Sequence, residues 1–280
     1  MKKILITGAD SYIGTAFEQY IQRRGEAYRV ETVDTIGDAW QKTDFAAYDA
    51  VLHVAGIVHV RETDESRDLY YCVNRDLTVQ IAERAKEAGV KQFIFISSMS
   101  VYGLESGVIT PETQPQPITH YGKSKLEAEQ GLESLQDERF RVAVLRLPMV
   151  YGKGCKGNFQ LLLRLVQKSP VFPAVHNRRS MISVENLCSF LQMIVDSGAC
   201  GVFFPQNREY VDTVEMAKTI AKVLGKRVFF SRLAGLAVRL LIPVLRPARK
   251  AFSTLIYQDC EQHDFCYCET DFESSVRSSI

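Results

Sequence analysis

Lys2-Lys3-Ile4-Leu5-Ile6-Thr7-Gly8-Ala9-Asp10-Ser11-Tyr12-Ile13-Gly14 is the stretch that decides the fold. Ile4 to Ile6 is short and continuously apolar, which is how a strand buried on both faces of a parallel sheet reads. Ile13, Ala16, Phe17, Tyr20 and Ile21 then recur at the spacing of one helix face. Between strand and helix, Gly8 permits a tight turn and Gly14 lets the helix lie close to the sheet. Ser11, Tyr12 and Ile13 place backbone N–H groups at the helix N-terminus. Hydrogen bonds and the helix dipole together favour a pyrophosphate there. The spacing is Gly-x-x-Ser-x-x-Gly, so Ser11 stands where the commoner dinucleotide fingerprint has its middle glycine.

The same alternation continues outward. Val30 to Val33, Val51 to Ala55, Phe93 to Ile96 and Val142 to Leu145 read as further buried strands. Helices are expected over residues 74–88, with Leu77, Ile81 and Ala85 on one face and Gly89 as a stop, and over 121–135. This predicts an α/β fold, a doubly wound parallel sheet, over residues 1–150. Residues 151–280 predict a smaller mixed α/β lobe that binds substrate, with the segment 181–206 returning to the sheet domain. In that lobe Asp212 with Glu215 reads as a capping box for a helix ending near Gly225. Only 16 residues separate Asp34 from Val51. That is short for a helix, a strand and a crossover, so the third strand is expected to be abbreviated or missing.

Bulk properties exclude several function classes. With 46% hydrophobic and 24% charged residues and a net charge of +1, the chain has no basic excess suited to nucleic acid. Ile4 to Ile6 is too short for the core of a signal peptide. Leu233 to Leu245, the longest apolar stretch, is interrupted by Arg239 and Pro243 and cannot span a bilayer. A peripheral membrane contact there stays open as the less favoured reading. The seven cysteines form no Cys-x-x-Cys pair. Cys260, Cys266 and Cys268, with His263 nearby, therefore read as free thiols rather than a metal site, and a reducing, cytoplasmic setting is expected.

Three positions carry chemistry. Asp34 closes the second strand, where a carboxylate can accept both adenosine ribose hydroxyls and repels a 2′-phosphate, favouring NAD over NADP; the plain alternative is a surface turn. Asp38 is a second choice, facing the adenine. Tyr121 and Lys125 lie four apart at the start of a predicted helix, hence on one face. An ammonium near a phenol lowers its pKa from about 10 and makes it a usable general base. Ser98 ends the Phe93 strand, at the carboxyl end where doubly wound folds bind ligands, and can share a substrate oxygen with Tyr121. It could equally cap its own strand end.

Taken jointly, these motifs resemble the extended short-chain dehydrogenase/reductase superfamily, in its NAD-dependent epimerase/dehydratase branch. The matching residues are Gly8-x-x-Ser11-x-x-Gly14, Asp34, His53-Val54-Ala55-Gly56, Asn74, Ser97-Ser98-Met99-Ser100-Val101-Tyr102-Gly103, Tyr121 with Lys125, and Pro148-Met149-Val150-Tyr151-Gly152. The resemblance implies a Rossmann fold, NAD as cofactor and a nucleotide-sugar substrate. It implies that Ala55 and Gly56 line the cofactor through their backbone, that Lys125 also holds the nicotinamide ribose, and that Pro148 lies beside the carboxamide. Asn74 would be a structural or cofactor-side residue. Asn158 and Arg179 fall where relatives grip the diphosphate, a role that suits the planar guanidinium. Dimers through a helix pair are common in the family, so a homodimer is an expectation too.

The family's dehydratases follow the catalytic hydroxyl with an Asp-Glu pair, whereas here Met99 and Ser100 follow Ser98. That disfavours dehydration and leaves epimerisation, expected at C4 of a UDP- or dTDP-sugar. A net reductase or dehydrogenase is the nearest rival. A non-catalytic NAD-binding protein is a weaker one, because a binder needs none of Ser98, Tyr121 and Lys125.

Overall fold

The apolar runs at Ile4, Val30, Val51, Phe93 and Val142 become strands of one six-stranded parallel sheet. The computed structural model describes residues 1–58, 63–258 and 266–280, so Cys260 and His263 lie outside the described residues. The chain runs β1 (Lys2–Thr7), α1 (Tyr12–Gln22), β2 (Tyr28–Val33), α2 (Ala39–Lys42), β3 (Ala50–His53), α3 (Asp64–Tyr71), α4 (Leu77–Glu87), β4 (Gln92–Ser98), β5 (Gly107–Ile109) and α5 (His120–Leu135). It continues with β6 (Arg141–Leu147), β7 (Met149–Tyr151), α6 (Asn158–Lys168), β8 (Val171–Pro173), β9 (Met181–Ser183), α7 (Val184–Ser197) and β10 (Gly201–Phe203). Last come α8 (Thr213–Val223), β11 (Phe229–Ser231), α9 (Arg232–Leu241), α10 (Arg246–Phe252), β12 (Leu255–Tyr257) and α11 (Phe272–Ser278).

Two compact units form. The first comprises Met1–Gly103, Gln114–Leu147 and Cys188–Pro205 and contains the whole sheet, in the order β10-β6-β4-β3-β1-β2. Strand order reverses between β1 and β3, so their carboxyl ends flank the switch point at which doubly wound folds bind ligands. No strand forms between β2 and β3. The segment holds only α2 and a single 3-10 turn, Phe45–Ala47, and β2 is the sheet edge. Trp40 and Phe45 bury themselves there instead, in the core cluster with Leu5, Val51, Ile81, Phe93 and Leu132. Burying apolar area is the main force holding these layers together.

The second unit comprises Leu104–Thr113, Pro148–Leu187 and Gln206–Ile280. Its strands pair in parallel twos, β7 with β9, β8 with β11, and β5 with β12. A buried polar chain ties it internally. Asn186 Nδ2 donates to Asn207 Oδ1 at 3.0 Å, Asn207 Nδ2 donates to the Tyr151 hydroxyl at 2.9 Å, and that hydroxyl meets Ser275 Oγ at 2.7 Å. Asp212 caps α8 by accepting from Val214 N and Glu215 N. Glu215 does not complete the expected capping box, because its carboxylate pairs with Lys218 at 2.7 Å. Among the described residues no helix is long and apolar enough to cross a membrane, and no cluster of three or more metal-ligating side chains occurs.

Candidate active site

At the end of β1 the chain turns through Gly8, whose φ is +117° and where a Cβ would lie 2.7 Å from Ala55 N. Val54 N and Ala55 N both donate to Thr7 O, at 3.1 and 2.9 Å, so the ends of β1 and β3 are held side by side. Only glycine allows this approach. At Gly14 a Cβ would stand 2.5 Å from Ser11 Oγ and 3.0 Å from Ile6 Cγ2, which explains the second glycine. Ser11 is the N-cap of α1, its hydroxyl accepting from Gly14 N at 3.2 Å. The serine in place of a glycine is thus a capping device. Tyr12 and Ile13 open α1, and first-turn N–H groups have no intrahelical partner. Asp34 follows β2 with its side chain exposed, and its Oδ1 accepts from Ile36 N at 2.9 Å.

The catalytic candidates meet at the carboxyl end of β4, all within the first unit. Thr119 caps α5, accepting from Gly122 N at 3.0 Å. A Cβ on Gly122 would lie 2.6 Å from Ser100 O, so glycine lets the first turn of α5 settle on the backbone beyond β4. That contact puts Tyr121 against Ser98. The two hydroxyls are hydrogen-bonded, and Ser98 Oγ also accepts from Ser100 N at 3.1 Å. Ser98 thus caps its own strand end while its hydroxyl also meets that of Tyr121. The Tyr70 ring stands 6.3 Å from that of Tyr121. Burial, reinforced by Tyr70, pushes the Tyr121 phenol up to about 12, and the Ser98 hydrogen bond only partly opposes it.

Lys125 does not lower Tyr121 as the spacing suggested. It is itself buried, its Nζ donating to Ile96 O at 2.9 Å and lying 4.5 Å from the centre of the Phe95 ring. Burial brings it down to about 7, with Glu129 pulling the other way. A lysine titrating there is only partly charged at neutral pH and exerts a correspondingly weaker field.

A second layer of polar groups supports this pair. Glu129 forms a 2.7 Å ion pair with Arg146 and accepts from the Ser97 hydroxyl, and Arg146 also donates to the Tyr102 hydroxyl at 2.8 Å. His53 is fully buried. It lies 2.7 Å from Thr7 Oγ1 through Nδ1 and 3.0 Å from Thr78 Oγ1 through Nε2. Thr78 spends its own proton on Asn74 O at 2.9 Å, so Nε2 of His53 is the protonated nitrogen. Burial, with the charge of Lys125, holds His53 neutral, its pKa down to about 3. Asn74 accepts from Ile57 N at 2.9 Å and donates to Ile57 O and to Ser124 Oγ at 3.1 and 3.2 Å. It clamps the loop after β3. Gly56 sits in that clamp, where a Cβ would be 2.9 Å from Asn74 Oδ1 and 3.3 Å from Lys125 Nζ.

The sequence reading missed Tyr70, Glu129 and Arg146. Glu129 had a usable signal, since it follows Lys125 by four on the same helix face. Tyr70 and Arg146 had none, because only the fold brings them in.

The remaining predicted residues belong to the second unit. Pro148 follows β6 directly, and Asn158 opens α6 after Gly157, whose φ is +95°. Arg179 Nη1 donates to Ser253 O at 2.9 Å. Burial lowers its pKa from the usual guanidinium value. Arg178 lies 4.4 Å over the ring of Tyr210.

With this geometry in view, the likeness to known proteins is informative. The RmlD substrate binding domain family matches residues 1–278. A UDP-glucose 4-epimerase of Vibrio cholerae is 35% identical over 251 residues, covering 80% of this chain and 76% of that protein. An N-acetyl-alpha-D-glucosaminyl-diphospho-ditrans,octacis-undecaprenol 4-epimerase of Escherichia coli O157:H7 is 27% identical, covering 79% and 71%. The crystal structure of UDP-glucuronic acid 4-epimerase from Bacillus cereus in complex with NAD shares the fold, with a TM-score of 0.76 at 19% identity over 99% of this chain and 97% of that one. The parallel sheet, the capped turn between β1 and α1 and a match along nearly the whole length agree, and the chain belongs to the RmlD substrate binding domain family, within the extended short-chain dehydrogenase/reductase superfamily.

Proposed function

We propose that this protein is an NAD-dependent epimerase that inverts C4 of a nucleotide sugar through a transient 4-keto sugar. The observation that carries this reading is the hydrogen-bonded Tyr121–Ser98 pair, with buried Lys125 on the next turn of α5, at the carboxyl end of β4.

The residues present fit a dinucleotide. Gly8 and Gly14 leave no room for a Cβ, the first N–H groups of α1 open toward the turn, and the Asp34 carboxylate stands at the end of β2. Gly8, Ser11, Tyr12, Ile13 and Gly14 would hold the pyrophosphate, Asp34 the adenosine ribose, and Ala55, Gly56, Lys125 and Pro148 the nicotinamide half, with Asn74 fixing the loop beneath. NAD bound there supplies hydride exchange and, when oxidised, a positive charge that favours the phenolate.

Tyr121 takes the proton of the C4 hydroxyl as hydride leaves that carbon, and returns it when hydride is delivered to the other face. Ser98, fixed by Ser100 N, donates to the same oxygen as charge develops on it. Lys125 orients the site through its hydrogen bond to Ile96 O, with its remaining N–H donors free for the ribose. Asn158 and Arg179 are the proposed contacts to the substrate's diphosphate. A cytoplasmic setting and a homodimer through a helix pair complete the reading, and sedimentation equilibrium tests the latter.

One observation favours a second reading, net reduction of a keto sugar. A phenol held near 12 is protonated at neutral pH and suits donation to a ketone oxygen. Incubation with UDP- and dTDP-sugars followed by NMR separates the two. Inversion of one stereocentre with NAD retained by the protein supports epimerisation. Stoichiometric consumption of added NADH overturns it.

A further inference from the structure

The segment 216–258 carries nine of the chain's 34 Lys and Arg residues and none of its 33 Asp and Glu residues. The other residues therefore hold 25 cations against 33 carboxylates. The net charge of +1 conceals this separation. In its middle lies α9, which inverts the usual arrangement of a surface helix. Its packed face is made of small residues: Ala234, Gly235 and Val238 turn inward, and a Cβ on Gly235 would lie 2.5 Å from Ala174 O, just past β8. Its large residues point out. Leu233 is 82% exposed, Leu236 58%, Leu240 73%, and Val244 beyond the helix 76%. These fall at i, i+3, i+7 and i+11, one stripe whose helical part, Leu233 to Leu240, is about 10 Å long at 1.5 Å per residue. Arg232 and Arg239 lie seven apart and border the stripe on one side. Arg227, Arg232, Arg239 and Lys250 have no carboxylate within ion-pair distance among the described residues, whereas Arg249 is paired with Glu105 at 2.8 Å.

We infer that α9 and the turn following it are a membrane-surface anchor that lays Leu233, Leu236, Leu240 and Val244 into the headgroup region of an anionic bilayer. Three observations select this occupant. A leucine stripe with a cationic border along one side and no carboxylate is complementary to an apolar layer under negative headgroups. A second copy of the same face would bring the same cations and no carboxylate to pair with them, so it offers no charge complementarity. Arg239 and Pro243 exclude insertion across the bilayer but not lying along it, where the Arg side chains reach the phosphates while their stems cover apolar surface. The consequence is a chain held at a lipid surface without a spanning helix. The inference is independent of the catalytic reading.

The test is flotation of the full chain with vesicles of equal parts phosphatidylcholine and phosphatidylglycerol, against vesicles of phosphatidylcholine alone, at about 0.1 M salt, where the screening length is about 10 Å. Binding to the anionic vesicles is expected to be at least about tenfold stronger, and Arg232→Gln and Arg239→Gln are each expected to weaken it about fivefold. Leu236→Glu with Leu240→Glu is expected to abolish it while the thermal unfolding midpoint is kept, which separates lost docking from lost folding. Equal binding to both vesicle types, or none, overturns the inference, as does a leucine variant that still floats like the parent. A concentration-dependent dimer that the leucine variant dissolves, without vesicle binding, overturns it in favour of a second copy of the chain.

Discussion

The site around Tyr121 and the face of α9 break the inside–outside rule in opposite senses. The first buries Lys125, Glu129 and His53, each less than 10% exposed. The second exposes leucines, with Leu233 at 82% and Leu240 at 73%. The buried titratable groups are bonded throughout: Lys125 to Ile96 O, Glu129 to Arg146 and Ser97, and the neutral His53 to Thr7 and Thr78. A buried charge is tolerated only with such partners. Exposed leucines need no hydrogen-bond partner, and removing them from water is a gain still available to whatever covers them. One region thus has its function written in internal bonds, and the other in bonds and burial still to be made.

Tyr121→Phe gives the largest expected effect in the first region. It removes the proposed proton carrier and keeps the ring packed near Tyr70. Turnover should fall about 10³-fold, within the range for a lost general acid–base group, while NAD affinity by fluorescence titration stays within about twofold. Retention of most activity would sink the proposed mechanism. Next in size is Arg146→Met, which leaves Glu129 buried without its partner. It should lower unfolding free energy by about 3 kcal/mol in urea titration. Pairing it with Glu129→Gln should restore much of that loss, because the uncompensated charge is then gone. If the double variant were as unstable as the single one, the ion pair would matter through shape rather than charge.

A smaller effect comes from titration. Lys125 sits near 7 in the fold against 10.5 ordinarily. Between these values the unfolded chain binds a proton that the folded chain does not, so stability rises with pH across that window. Tyr121, raised to about 12 from 10.0, begins to act only above 10, and in the opposite direction. Lys125→Met should therefore flatten the rise in urea midpoint between about pH 7 and 9. An unchanged slope would mean that Lys125 is charged in the folded state.

How much of this could be read from the sequence follows the same division. The doubly wound sheet was legible because β1, β3, β4 and β6 are continuous apolar runs with helices between them, a local signal. Gly8, Gly14, Ser98 and Tyr121 were legible because turn glycines and strand-end hydroxyls keep fixed spacings. The electrostatics of the site was not. The spacing of Tyr121 and Lys125 predicts a lowered phenol, and burial, which no spacing reports, reverses it. Exposure of α9 was hidden for the same reason. Its stripe of leucines is what a core-facing helix would show, and only the fold reveals that Gly235 rather than Leu236 meets the neighbouring backbone.

The smallest expected effect is the one that sharpens the comparison most. Were Leu240 part of a core, truncating or charging it would cost about 2–5 kcal/mol, as for Ile81→Ala beneath the sheet. On an outward face Leu240→Glu should change unfolding free energy by no more than about 0.5 kcal/mol. Measuring both variants in the same urea titration sets the two regions side by side. A large loss at Leu240 would place that leucine in a contact internal to the chain, and the apolar face of α9 would then be structure rather than a surface awaiting a partner. A near-neutral result leaves Leu240 with no stabilising role in the isolated fold, as the outward face of α9 requires.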